Sequence, residues 1–195
     1  MRRWLLAVGL AATATASIAD SPPPDLVATF IELCGETHGD PVRALAAADR
    51  NGWSVPPALG LHPPLTFGSS RWTHLDGRFL RSPGEVRVLE VGTQANPRQR
   101  SAVSCAIIER SRRSASAADL DRMRDALARW VGGQPVKTSA AGNYAQFAFR
   151  EVAGQRRRLL PGDRALSADL PPPDVAEVSL GKALGMPLIT YVNVR

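Results

Sequence analysis

"RWTHLDGRFLRSPGEVRVLEV", residues 71–91, holds two turn signals, and the strands around them decide the class of the fold. Asp76-Gly77 sits between "RWTHL" and "RFLRS", the strongest short-range mark of a β-hairpin. Ser82-Pro83-Gly84 marks a second turn, because proline presets φ for a turn's first corner and glycine accepts a positive φ. "EVRVLEV" then alternates apolar and polar residues, as a half-buried strand does. The reading is of three short antiparallel strands in succession.

Downstream the same period-two pattern returns. After the polar loop "GTQANPRQR", "SAVSCAIIE" puts Val103, Cys105 and Ile107 on one face. "NYAQFAFREV" places Ala145, Phe147 and Phe149 together, "AGQ" turns the chain, and "RRRLL" returns it. "LITYVNV" reads as a final strand, while "VAEVSLGKALG", within residues 174–186, fits a short helix or a strand equally well.

Helical spacing is confined to three places. From Asp25, residues Leu26, Val27, Phe30, Leu33 and Cys34 share one face, until Gly35 and Gly39 weaken the pattern. Asp40-Pro41 then reads as an N-cap with proline in the first turn, and Asn51-Gly52 as the end of that helix. In "SASAADLDRMRDALARWVGG", Ser116 and Asp119 resemble a capping box. Leu120, Met123, Leu127 and Trp130 or Val131 form the apolar stripe, and Asp125 and Arg129 are spaced for an ion pair. Helices segregated from hairpin-connected strands indicate an α+β domain. The expected architecture is a mostly antiparallel sheet of about six strands, with two N-terminal helices and one central helix packed on it.

The first residues speak to compartment. Arg2 and Arg3 precede an apolar run from Trp4 to Ala16, and Ser17-Ile18-Ala19 supplies small residues at the −3 and −1 positions. That is the plan of a secretory signal peptide over residues 1–19, cleaved before Asp20. Residues 20–195 then form a single domain in the periplasm or outside the cell. The run falls short of the roughly 20 apolar residues a membrane span needs, so no membrane span is expected.

The segment "CGETHGD", Cys34 to Asp40, concentrates chemistry-bearing side chains. Cys34 and His38 at four-residue spacing suit a metal site or a thiol–imidazole pair. Against this stands the cysteine census, because an exported chain whose two cysteines are Cys34 and Cys105 reads as a disulfide protein. Both sit on apolar faces, so a helix-to-strand disulfide across the core is expected, and no metal or cofactor. His62 precedes Pro63-Pro64 in a loop and His74 lies in a strand; neither forms a catalytic or metal-binding motif with its neighbours. Ser179-x-x-Lys182 matches S-x-x-K and Lys137-Thr138-Ser139 distantly echoes K-T-G, which together resemble penicillin-binding enzymes, but the order is reversed, the S-D-N element is missing and the chain is too short for that fold.

Of the 24 basic residues only Lys137 and Lys182 are lysine, and the formal net charge is +6. Arg110, Arg112 and Arg113 follow one strand and Arg156, Arg157 and Arg158 lie on a hairpin return. As edge residues they guard against strand-to-strand aggregation. Grouped on one rim they form a binding site for an anionic ligand or an acidic protein, the arginine fork being suited to carboxylate and phosphate. Nucleic acid is not expected for an exported chain. Two functions follow from these residues: a non-catalytic binding module with one disulfide, or a small periplasmic hydrolase using His38 or a Cys34–His38 pair.

Overall fold

Side-chain alternation assigns every strand residue to one of two sheet faces, and all three helices pack on the same one. The computed structural model describes residues 25–55, 74–95, 101–111, 114–160, 174–183 and 185–194. Helix α1 (Asp25–Phe30) runs directly into a π-helical turn (Ile31–Gly35), and α2 (Pro41–Arg50) follows. Three strands come next: β1 (His74–Ser82), β2 (Glu85–Ala95) and β3 (Ser101–Ser111). Then come α3 (Ala117–Val131), β4 (Lys137–Thr138), β5 (Ala145–Val152), β6 (Gln155–Arg158), β7 (Val175–Ala183) and β8 (Met186–Val194).

The strands form one sheet in the order β1-β2-β3-β8-β7-β5-β4, with β6 also paired to β5. Every pairing is antiparallel. The α+β class, the antiparallel sheet and its three helices agree with the sequence reading, and among the described residues the strands number eight rather than about six. Asp76-Gly77 is not a turn. Strand β1 continues through it, with Gly77 opposite Glu90 and Arg78 opposite Leu89, and the chain reverses only between Ser82 and Glu85. There Pro83 precedes Gly84, whose φ of +80° suits the third residue of a type II turn. The extended β1 keeps Leu80 on the core face and lets Arg78 meet Asp49 of α2 at 2.6 Å. That tertiary gain overrides a local turn preference. The ambiguous segment within 174–186 is strand β7.

The helix-facing core contains Leu26, Phe30 and Leu33 from the first helical segment and Leu120, Leu127 and Val131 from α3. They meet Leu89, Ile107, Phe147, Phe149, Ile189 and Tyr191 from the sheet. Local signals start and stop the helices where the sequence places them. Asp40 accepts a hydrogen bond from the Arg43 N–H at 3.1 Å, and Ser116 with Asp119 completes the capping box. Gly132 ends α3 in the left-handed conformation. Within α3 the ion pairs run from Arg122 to Asp119 at 2.6 Å and from Arg124 to Asp121 at 3.0 Å, and Asp125 approaches Arg124 at 4.0 Å rather than the expected Arg129. Across the core, edge-to-face contacts link Phe30 to Trp130 at 5.9 Å, Trp130 to Phe149 at 5.8 Å and Phe149 to Tyr191 at 6.3 Å. Such geometry favours aromatic pairs beyond their area burial.

On the opposite face two smaller apolar clusters form, one around Val88, Ile108 and Leu188, the other around Ala148, Leu159 and Val175. Polar residues separate them: Thr190, directly opposite Ser179 and Ala106, and Glu177, opposite Ala148 and Val192. Burial raises the Glu177 carboxyl above the ordinary glutamate value, offset in part by a 3.0 Å hydrogen bond from the Gln146 amide.

Candidate functional site

The Cys34–Asp40 segment leaves the π-helical turn and crosses the end of the core, and each of its polar side chains is already engaged. Cys34 is bonded to Cys105 of β3, with both residues fully buried and their Cα atoms 5.5 Å apart. The helix-to-strand disulfide is therefore present, and Cys34 has no thiol to offer a Cys34–His38 pair. Thr37 donates its hydroxyl to the Leu33 carbonyl at 2.7 Å. Glu36 approaches Arg156 at 3.5 Å, and the Arg156 guanidinium lies 4.2 Å over the Trp130 ring, a cation–π arrangement.

His38 adopts φ +56°, a left-handed conformation that costs a non-glycine residue about 1 kcal/mol. Its Nδ1 lies 3.0 Å from a carboxylate oxygen of Glu151 on β5. Glu151 stands opposite Arg156 in the β5–β6 pairing. Glu36 with Arg156 and His38 with Glu151 thus bring this segment to the β5–β6 hairpin at two points. The two glycines that weaken the helical pattern have a packing reason. A Cβ on Gly35 would lie 2.5 Å from the Trp130 ring, and one on Gly39 would lie 2.6 Å from the Tyr191 ring.

A cleft of about 300 Å³ opens between the starts of α1 and α3, the start of β2 and the end of β3. Arg87 stands at its centre, paired with Glu85 at 2.6 Å and Glu109 at 3.5 Å, and it donates to the Thr29 hydroxyl at 3.0 Å. Burial, with Glu85 nearby, raises the Glu109 carboxyl above its usual range, and Arg87 pulls it back. A second groove of about 460 Å³ lies between the π-helical turn and α2, with Glu32 and Glu36 facing it from one side and Arg43 and Arg50 from the other. Among the described residues no group of three or more His, Cys, Asp or Glu side chains is placed to hold a metal ion.

The chain matches no protein-family model, no curated protein and no solved structure.

Of the six arginines singled out in the sequence, the four that are described do not share one place. Arg112 and Arg113 lie outside the described residues, as does His62. Arg110 is on β3, which β8, β7 and β5 separate from β6. Four inter-strand spacings amount to about 19 Å. Alternation then divides β6 itself. Arg156 and Arg158 face the helices, Arg156 against Trp130 and Arg158 over Gly133. Arg157 points to the opposite face, across from Arg150. His74 lies on β1, opposite Thr93 of β2. Ser179 and Lys182, three residues apart on one strand, face opposite sides of the sheet and cannot act together. Glu151 was invisible as a site residue in the sequence, because nothing local marks a partner as distant as His38, and neither Trp130 nor Arg150 carries a local sign of its contact with Arg156 or Asp174.

Proposed function

We propose that the protein is an exported, non-catalytic binding module, braced by the Cys34–Cys105 disulfide and directed at an anionic partner. The observation that carries this is the fate of the one chemistry-rich segment. Cys34 is spent in a disulfide, Glu36 on Arg156 and Asp40 on a helix cap, and His38 is bonded to Glu151 alone among the described residues. A catalytic imidazole needs a positioned nucleophile or substrate group within hydrogen-bond reach as well as an orienting carboxylate, and only the carboxylate is supplied. The excess of arginine, a residue built to grip carboxylate and phosphate, supports an anionic partner, and the leader-like residues 1–19 support export.

One incubation separates the two functions. A labelled oligo-glutamate peptide is mixed with the purified protein at low salt, anisotropy reports binding, and mass spectrometry reports whether the peptide stays intact. Binding without cleavage, weakened by added salt and absent for oligo-lysine, supports the module. Cleavage that disappears in His38→Ala would establish the hydrolase instead.

A further inference from the structure

We infer that the outward face of the β5–β6 hairpin, built on Arg150 and Arg157, is the docking surface, and that it takes an acidic, extended segment of a partner protein. The inference rests on the anionic-partner reading above and assigns it a place.

Arg150 and Arg157 are directly opposite each other in the β5–β6 register, so their side chains leave the same face of the sheet. Like charges directly opposite across two strands are destabilising. Arg150 is partly compensated, its Nε lying 3.1 Å from Asp174. Asp174 takes this position at φ +72°, a left-handed conformation that Asp and Asn tolerate better than other side chains. Arg157 is exposed and has no partner among the described residues. The neighbouring β6 arginines are engaged by Glu36, Trp130 and Gly133 on the other face. One guanidinium of the three is thus left facing solvent beside a second of the same sign. Two residues along β5, on that same face, Val152 is 44% exposed. It offers apolar contact area beside the charges.

The size of the patch selects the partner class. Adhesion to an anionic membrane takes clusters of about four to eight basic residues, and this hairpin has two on the face in question. Two adjacent guanidinium forks beside one exposed apolar side chain instead match a carboxylate side chain flanked by an apolar one, where bidentate pairing supplies both energy and geometry. Asp174 occupies part of that role within the chain itself, so an incoming carboxylate competes with it.

The test uses the full exported protein and a labelled peptide of alternating glutamate and leucine. Arg157→Glu should weaken binding about tenfold, the size of one charge-assisted hydrogen bond. Arg81→Glu, an equal charge change on β1 at the far edge of the sheet, should leave it unchanged. Asp174→Asn, which keeps a residue tolerant of positive φ and removes the competing charge, should tighten binding several-fold. A defect in folding would not produce that gain. Equal weakening by Arg157→Glu and Arg81→Glu would overturn this surface and leave the anionic-partner reading standing. Failure of the wild type to bind the peptide would remove both. Tighter binding to phosphatidylglycerol vesicles than to the peptide, lost in Arg157→Glu, would replace the protein partner with a membrane and overturn the inference.

Discussion

The Nδ1 of His38 and the carboxylate of Glu151 lie 3.0 Å apart although the residues are 113 positions apart in the chain. The contact closes the gap between the end of the first helical segment and the β5–β6 hairpin. Both side chains are exposed by a third or more, so its energetic worth is that of a surface pair, up to about 1 kcal/mol. The position of this segment is set instead by what lies beneath it.

That ranking predicts the outcome of two substitutions. Glu151→Ala should cost no more than about 1 kcal/mol. Gly39→Ala should cost about 2 kcal/mol or more, since it adds a methyl group 2.6 Å from the Tyr191 ring and forces alanine to φ +67°. Denaturant unfolding of the two variants compares them directly. A larger loss in Glu151→Ala would show that the ion pair, rather than the glycine contact, holds the segment.

The disulfide joins residues separated by 71 positions. Closing such a loop stabilises by about 4 kcal/mol in the chain-entropy account. Replacing both cysteines by alanine should therefore lower Tm substantially. In the native protein neither thiol should react with an alkylating reagent until a reductant is added. Free alkylation of Cys34 would return the thiol to consideration as a nucleophile.

Burial raises the folded-state pKa of Glu177 above its ordinary 4.5. A carboxyl with a raised folded pKa binds its proton more tightly in the folded chain than in the unfolded one. Its contribution is thus fully present below pH 4.5 and is lost as pH rises through the folded value. Glu177→Gln keeps an oxygen to accept from Gln146 and carries no charge. It should raise Tm at pH 7 and leave it nearly unchanged at pH 4. A lower Tm for the variant at pH 7 would mean that the ionised carboxylate has a stabilising partner.

Export is tested by mass. Expressed from its own start, the protein should be recovered outside the cytoplasm beginning at Asp20. Recovery of an intact Met1 form from the cytoplasm would contradict the leader and, with it, the compartment assumed for the function.

What the sequence determined by itself is local in origin. The Ser116–Asp119 capping box, the Asp40 cap, the turn at Ala153-Gly154 and the two-residue periodicity of β2, β3, β5 and β8 each act over a few residues, and they appear where the sequence puts them. The disulfide was legible for a different reason: two cysteines admit a single intramolecular pairing. Tertiary structure decided the rest. Whether Asp76-Gly77 turns depends on what strand β1 gains by continuing past β2, a choice no local propensity contains. β8 inserts between β3 and β7, so the end of the chain completes the middle of the sheet. That order carries Arg110 about 19 Å from β6, and the alternation of β6 sends Arg156 to Trp130 and Arg157 to the opposite face. Charges adjacent in sequence were parted because a strand exposes successive residues on opposite sides, and distant ones met because packing of the helices on the sheet brought their segments together.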